Sequence, residues 1–190
     1  SAGIKYLYQL EMADFDFLYK YPFFTHQLRD AKAPYSVILN APTGAGKTEA
    51  ALAWLKNQLE HRGQGRVYYI LPYTASINAM YERLNSCIGH SSRKVGLLHG
   101  NLMQYLNLQM ENHSIDTLEL QKQVEDFKSM VMPLKIVTPF QLLKHLFGIK
   151  GFEKGIFEWS GGYFIIDEIH AYEAKVFAQI IVLLSFAVQY

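Results

Sequence analysis

The sequence holds a single cysteine, Cys87. No disulfide can close within the chain and no cysteine-built zinc site is available, which fits a reducing cytoplasm. An excess of one charge is also missing: 18 Lys and Arg stand against 17 Asp and Glu, a net charge of +1. That balance removes any global attraction to nucleic acid, so such contact has to be local. Long apolar runs are missing too. The most apolar stretch, 176–188, is interrupted by Gln179 and Ser185. It is short for a bilayer span and reads as a buried helix, so no membrane partner is expected. There is no signal peptide, internal repeat or low-complexity linker. The opening Ser1-Ala2-Gly3 lacks a methionine and reads as a cut or tag remnant.

What is present is a chain of 190 residues, half of them apolar, which is enough for one domain with a core. Strand-like and helix-like segments alternate, predicting an α/β fold with a mostly parallel sheet and helices on both faces. Strands are expected at 37–40, 66–71, 94–98, 135–137 and 163–166. Helices are expected at 47–59, after Pro72 through Leu84, and at 140–147. Residues 101–130 read as a helical excursion, and 148–162 as a glycine- and aromatic-rich mobile connector.

Two motifs carry chemistry. The run A-P-T-G-A-G-K-T-E at 41–49 follows one apolar strand and opens a helix. This is a phosphate-binding loop. Thr43, Gly44, Ala45 and Gly46 would wrap a phosphate with backbone N–H groups, helped by the helix dipole. Lys47 would meet the β- and γ-phosphates, and Thr48 would offer its hydroxyl to Mg²⁺. The second motif, D-E-I-H at 167–170, follows the four apolar residues 163–166. Asp167 would hold Mg²⁺ through water, and Glu168 would orient and deprotonate the attacking water. Alone, the acidic pair would read better as a complement to a helix dipole; beside the phosphate loop the hydrolytic reading is favoured.

Weaker signals surround this pair. Gln27, upstream of the loop, could pair with the N6/N7 edge of adenine, with Phe23 or Phe24 stacking on the ring; otherwise it is a polar residue at a helix start. Thr74 and Thr138 each follow a strand and open a helix. Such helix starts cap themselves, and can also hold phosphates of a nucleic-acid strand. His99-Gly100 is as well explained by a turn, and His170 by an exposed loop or by coupling to a neighbouring domain.

The ordered set of Gln27, A-P-T-G-A-G-K-T-E-A-A-L, L-P-Y-T-A-S-I-N-A-M-Y-E-R-L, L-L-H-G, I-V-T-P-F-Q-L-L and I-I-D-E-I-H-A-Y resembles the first motor domain of a superfamily 2 helicase. The resemblance covers most of the chain. Asn78-Ala79-Met80, Arg83 and the extension into Ala171-Tyr172 narrow it to the CRISPR-associated helicase of type I interference systems. It implies a RecA-like P-loop NTPase domain over 1–190, using ATP and Mg²⁺. It also implies a cytoplasmic partner set: single-stranded or displaced DNA, a surveillance complex carrying guide RNA, and an HD nuclease. No His-Asp dipeptide occurs, so the nuclease is expected on a separate chain or as a missing domain. A DExH-type helicase of RNA processing or DNA repair shares every nucleotide-site residue. A nucleotide-gated binding module without turnover and a small-molecule kinase are the remaining readings.

The resemblance also implies a truncated domain. The second motor domain and its arginine fingers are absent, as is the Ser-Ala-Thr motif that follows D-E-x-H, so the isolated chain should be a poor enzyme. The Ser-Ala-Thr strand lies between the phosphate-loop strand and the D-E-x-H strand in this class. Without it, the two strands should close up, another copy or stray segment should fill the slot, or the remainder of a larger molecule should do so. The 176–188 helix should then show apolar surface without a partner.

Overall fold

The computed structural model describes residues 9–20, 22–23, 25–88, 94–97, 131–147, 159 and 161–189. Phe24, His99-Gly100, the 101–130 excursion and all but a few residues of the 148–162 connector lie outside them. The described sheet has four strands in the order β2-β3-β1-β4, all parallel. They are β1 (Val67–Ile70), β2 (Val95–Leu97), β3 (Leu134–Val137) and β4 (Tyr163–Ile166). The helices are α1 (Thr25–Ala31), α2 (Lys47–Arg62), α3 (Thr74–Cys87), α4 (Pro139–Phe147) and α5 (Ala174–Gln189). The α/β expectation holds, with strand ends moved by at most one residue and helix ends by up to three.

Strand chemistry explains the layering. A parallel strand covered on both faces is apolar throughout, and all four residues of β1 are buried. Its side chains alternate. Val67 and Tyr69 cluster with Leu52, Leu55 and Leu59 of α2 and with Ile77 and Leu84 of α3. Tyr68 and Ile70 cluster with Leu142 and Leu143 of α4 and with Trp159. A 3-10 helix at Met12–Lys20 adds Phe15 and Leu18 to the first cluster. Its Asp14 makes a buried ion pair with Lys94 at 2.8 Å.

The register levels the strand ends. Val67 lies opposite Leu134 and Tyr163, and Ile70 opposite Val137 and Ile166. Leu71 N–H donates to the Val137 carbonyl and Asp167 N–H to the Ile70 carbonyl, each at 3.0 Å. The segments entering α3, α4 and the acidic motif therefore leave the sheet at one rim.

The expected strand at 37–40 does not form. Residues 33–46 carry no ladder pairing, and Ile38 is 91% exposed. A strand persists only where a neighbour takes its N–H and C=O groups, and β4 ends the sheet among the described residues. The two strands have therefore not closed up. Upstream, three side chains spaced one turn apart on α2 hold the chain by its carbonyls. Trp54 Nε1 donates to Tyr35 at 3.0 Å, Gln58 Nε2 to Ala33 at 2.7 Å, and the Arg62 guanidinium to Pro34. The expected apolar surface on the last helix is present: α5 buries Ile180 and leaves Ile181 and Val182 each 48% exposed. No described helix is long and apolar enough to cross a membrane.

Candidate functional site

The phosphate loop is built on two left-handed glycines. Gly44 sits at φ 80° and Gly46 at φ 73°, backbone that L side chains rarely adopt. Ala45 N–H closes a turn onto the Pro42 carbonyl at 3.2 Å, leaving Thr43 exposed at its tip. Gly46 then caps α2, and Ala50 N–H donates to its carbonyl at 3.0 Å. Lys47 opens the helix, and its ammonium donates to the Ala41 carbonyl at 3.0 Å. Thr48 follows in the same first turn.

Gln27 is buried beneath this loop. Its Nε2 donates to the Gly46 carbonyl at 2.9 Å and to the Ala45 carbonyl at 3.4 Å. The amide nitrogen expected to face adenine thus supports the loop backbone as well. A methyl group on Gly46 would sit 2.1 Å from that nitrogen. Phe23 is half-buried and packs against the core, which engages the side chain that was expected to stack on a base.

The acidic motif reaches the same place from β4. Asp167 Oδ2 accepts the Tyr69 hydroxyl at 2.7 Å, and its Oδ1 accepts the Glu168 N–H at 2.8 Å. The Thr48 hydroxyl lies near the same phenol oxygen. The Tyr69 oxygen is therefore bonded to one of the two residues expected at the metal and close to the other. Burial, reinforced by the Asp167 charge, raises the Tyr69 pKa well above its ordinary value. The phenol stays protonated and donating at neutral pH. Glu168 has φ 51°, the one positive value among the described non-glycine residues. Its exposed carboxylate pairs with His170 Nε2 at 3.3 Å. Tyr172 donates to the Ile70 carbonyl at 3.2 Å; burial and then the Asp167 and Glu168 charges hold it protonated.

Hydroxyl and carboxylate are hard oxygen donors of the kind Mg²⁺ takes while keeping several waters. Thr48 and Asp167, one near the Tyr69 hydroxyl and the other bonded to it, fit that ion. No larger group of three or more His, Cys, Asp or Glu that could hold a metal occurs among the described residues.

The two threonines differ. Thr138 closes a reciprocal cap on α4: its N–H donates to Gln141 Oε1 at 2.8 Å, and its Oγ1 accepts the Gln141 N–H at 3.4 Å. Thr74 is the first residue of α3, whose cap is Tyr73 without a side-chain bond. Beside them Tyr73 and Phe140 are 59% and 62% exposed.

Sequence reasoning missed Tyr69, Arg83 as the partner of Glu49, and the Gln27–Gly46 contact. Arg83 of α3 makes an ion pair with Glu49, next to Thr48. A tyrosine in a fully buried strand was the available signal, since its hydroxyl needs a partner.

The profile of the family described as DEAD/DEAH box helicase matches residues 25–187. The chain belongs to the DEAD/DEAH box helicase family. Among its relatives is a CRISPR-associated nuclease/helicase Cas3 of Methanocaldococcus jannaschii, 33% identical over 155 residues, covering 79% of this chain and 20% of that protein. Another, from Methanothermobacter thermautotrophicus, is 29% identical over 78% of this chain and 17% of its own length. The Escherichia coli K12 CRISPR-associated endonuclease/helicase Cas3 is 39% identical over 36% of this chain and 8% of its own length. The crystal structure of T. fusca Cas3 shares the fold, with TM-score 0.65 and 22% identity, covering 94% of this chain and 21% of that one. The chain spans about a fifth of the length of the first two of these relatives. Within the DEAD/DEAH family it is a Cas3-like helicase motor domain with a RecA-like fold.

Proposed function

We propose that this chain is the first motor domain of an ATP-dependent DNA helicase or translocase acting in CRISPR antiviral defence. The supporting observation is the Tyr69 hydroxyl, which donates to Asp167 at 2.7 Å with the Thr48 hydroxyl nearby. It brings a phosphate loop and an acidic motif, far apart in sequence, to one rim of one sheet, in a domain whose relatives are Cas3 proteins.

ATP is held by Thr43, Gly44, Ala45 and Gly46 through backbone N–H groups, and by Lys47 through its ammonium, which leaves the Ala41 carbonyl for the β- and γ-phosphates. Gln27 contributes an adenine preference and couples it to loop geometry through Gly46. Thr48 and Asp167 hold Mg²⁺, which neutralises charge on the phosphates when bound. Glu168 orients and deprotonates the attacking water, then takes up the proton at its carboxylate. Thr74 and Thr138 lie on the path of a single strand, contacted mainly through phosphates, with Tyr73 and Phe140 offering faces for stacking. The strand is DNA displaced by a guide-RNA surveillance complex in the cytoplasm. An HD nuclease on a separate chain or elsewhere in the whole protein completes the system.

The test is ATP hydrolysis by the full-length protein with single-stranded DNA or RNA. DNA is expected to stimulate hydrolysis and RNA to do so weakly. Stronger stimulation by RNA would favour an RNA-processing helicase, and none by either would favour a binding module.

A further inference from the structure

Tyr69 occupies a position where an aliphatic residue would pack with no polar group to satisfy. Its ladder neighbours are Ile136 and Ile165, and it is fully buried. Doubly covered parallel strands favour Val and Ile there. The phenol instead carries an oxygen across the apolar layer to the rim. At that oxygen Asp167 Oδ2 accepts at 2.7 Å, and the Thr48 hydroxyl lies nearby. The other Asp167 oxygen accepts the Glu168 N–H, so both oxygens of the carboxylate are anchored and its rotation is restricted.

We propose that Tyr69 is a positioning residue for the magnesium site, fixing the Asp167 carboxylate in one orientation beside Thr48 before nucleotide arrives. This rests on the reading of Thr48 and Asp167 as the metal-holding residues. Outer partners of a ligating carboxylate fix its orientation, and their loss weakens metal binding by about 10–100-fold. Tyr69 also lies only a few residues before the start of α3, whose Arg83 pairs with Glu49. The strand that orders the metal site therefore leads straight into the helix assigned to nucleic acid.

Tyr69→Phe in the full-length protein keeps the ring and removes one oxygen. The readout is the Mg²⁺ concentration that half-saturates binding of a fluorescent, non-hydrolysable ATP analogue. Its affinity in EDTA and thermal melting serve as references. The midpoint should rise about 10–100-fold, with EDTA affinity and melting nearly unchanged. An unchanged midpoint with lowered melting would mean Tyr69 only supports packing, and would overturn the proposal. Asp167→Asn separates the two layers. If it too leaves the midpoint unmoved, the metal reading fails and the proposal with it. If Asp167→Asn moves the midpoint and Tyr69→Phe does not, the positioning role alone fails. Should Tyr69→Phe lose cooperative melting, 3-fluorotyrosine at position 69 alters the donor within the same shape, and an unmoved midpoint there overturns the role.

Discussion

Glu168 is held in left-handed backbone that disfavours any side chain but glycine. Such geometry costs about 1–3 kcal/mol and concentrates at functional sites. The strain aims an exposed carboxylate away from the line of the strand while Asp167 stays anchored. Glu168→Gln in the full-length protein should leave ATP binding intact and slow single-turnover hydrolysis by about 10²–10⁴-fold, the range for a positioned base. Near-normal turnover would remove the water-activating role. Gly46 makes a second residue-scale case. Gly46→Ala meets both a φ of 73° and the Gln27 amide 2.1 Å from the added methyl. It should cost about 1–2 kcal/mol in backbone strain alone and weaken ATP binding, read by denaturant melting and equilibrium titration. Gln27→Ala should spare the fold and narrow the preference for ATP over GTP; unchanged selectivity would leave Gln27 a loop support only. The residue types proposed for phosphate and metal were legible in the sequence because that chemistry demands them at fixed spacing. Tyr69 and the Gln27–Gly46 contact were not, since each is a distance between segments that only packing brings together.

At the scale of elements, apolar runs located the described strands, because doubly buried strands carry little else. The run at 37–40 has the same composition and forms no strand. β-propensity there means fitness for a neighbour that the described sheet does not supply. Helix starts were legible as caps, but their detail was not: T-P-F-Q forms a reciprocal box with Gln141, while α3 starts without a side-chain cap. Thr138→Ala should therefore destabilise by about 1 kcal/mol through the lost cap. If Thr138 also lies on the nucleic-acid path, the same variant weakens single-strand binding, whereas Thr74→Ala should weaken binding with little effect on melting. The Asp14–Lys94 pair joins the first 3-10 helix to β2 from side chains under a tenth exposed. Asp14→Ala leaves the buried ammonium only the exposed Glu11 carboxylate at 3.7 Å and should cost up to about 3–5 kcal/mol, seen as a fall in denaturant midpoint.

Across the whole molecule, a net charge of +1 leaves no long-range attraction for DNA. On the proposed function, affinity for a strand arises at the rim formed by the level ends of β1 and β3. Binding by the full-length protein should then tolerate changes of base sequence and fall with salt. Fluorescence titrations with strands of different sequence across a salt series check this, and strong discrimination without salt dependence would contradict it. The α/β architecture was legible because alternation of elements survives shifts in their boundaries. That β4 ends the sheet among the described residues was not legible in its own apolar run, because pairing depends on what lies beside a strand. One further consequence follows from the row formed by Trp54, Gln58 and Arg62. These side chains clip residues 33–35 to α2, while Lys47, Gln27 and the turn at Pro42 hold the chain from Ala41 onward. The span left between the two anchors is only residues 36–40. On the proposed function, a short free span loses less chain entropy when the loop closes on a ligand, so helix side chains outside the loop would raise nucleotide affinity through disorder already removed.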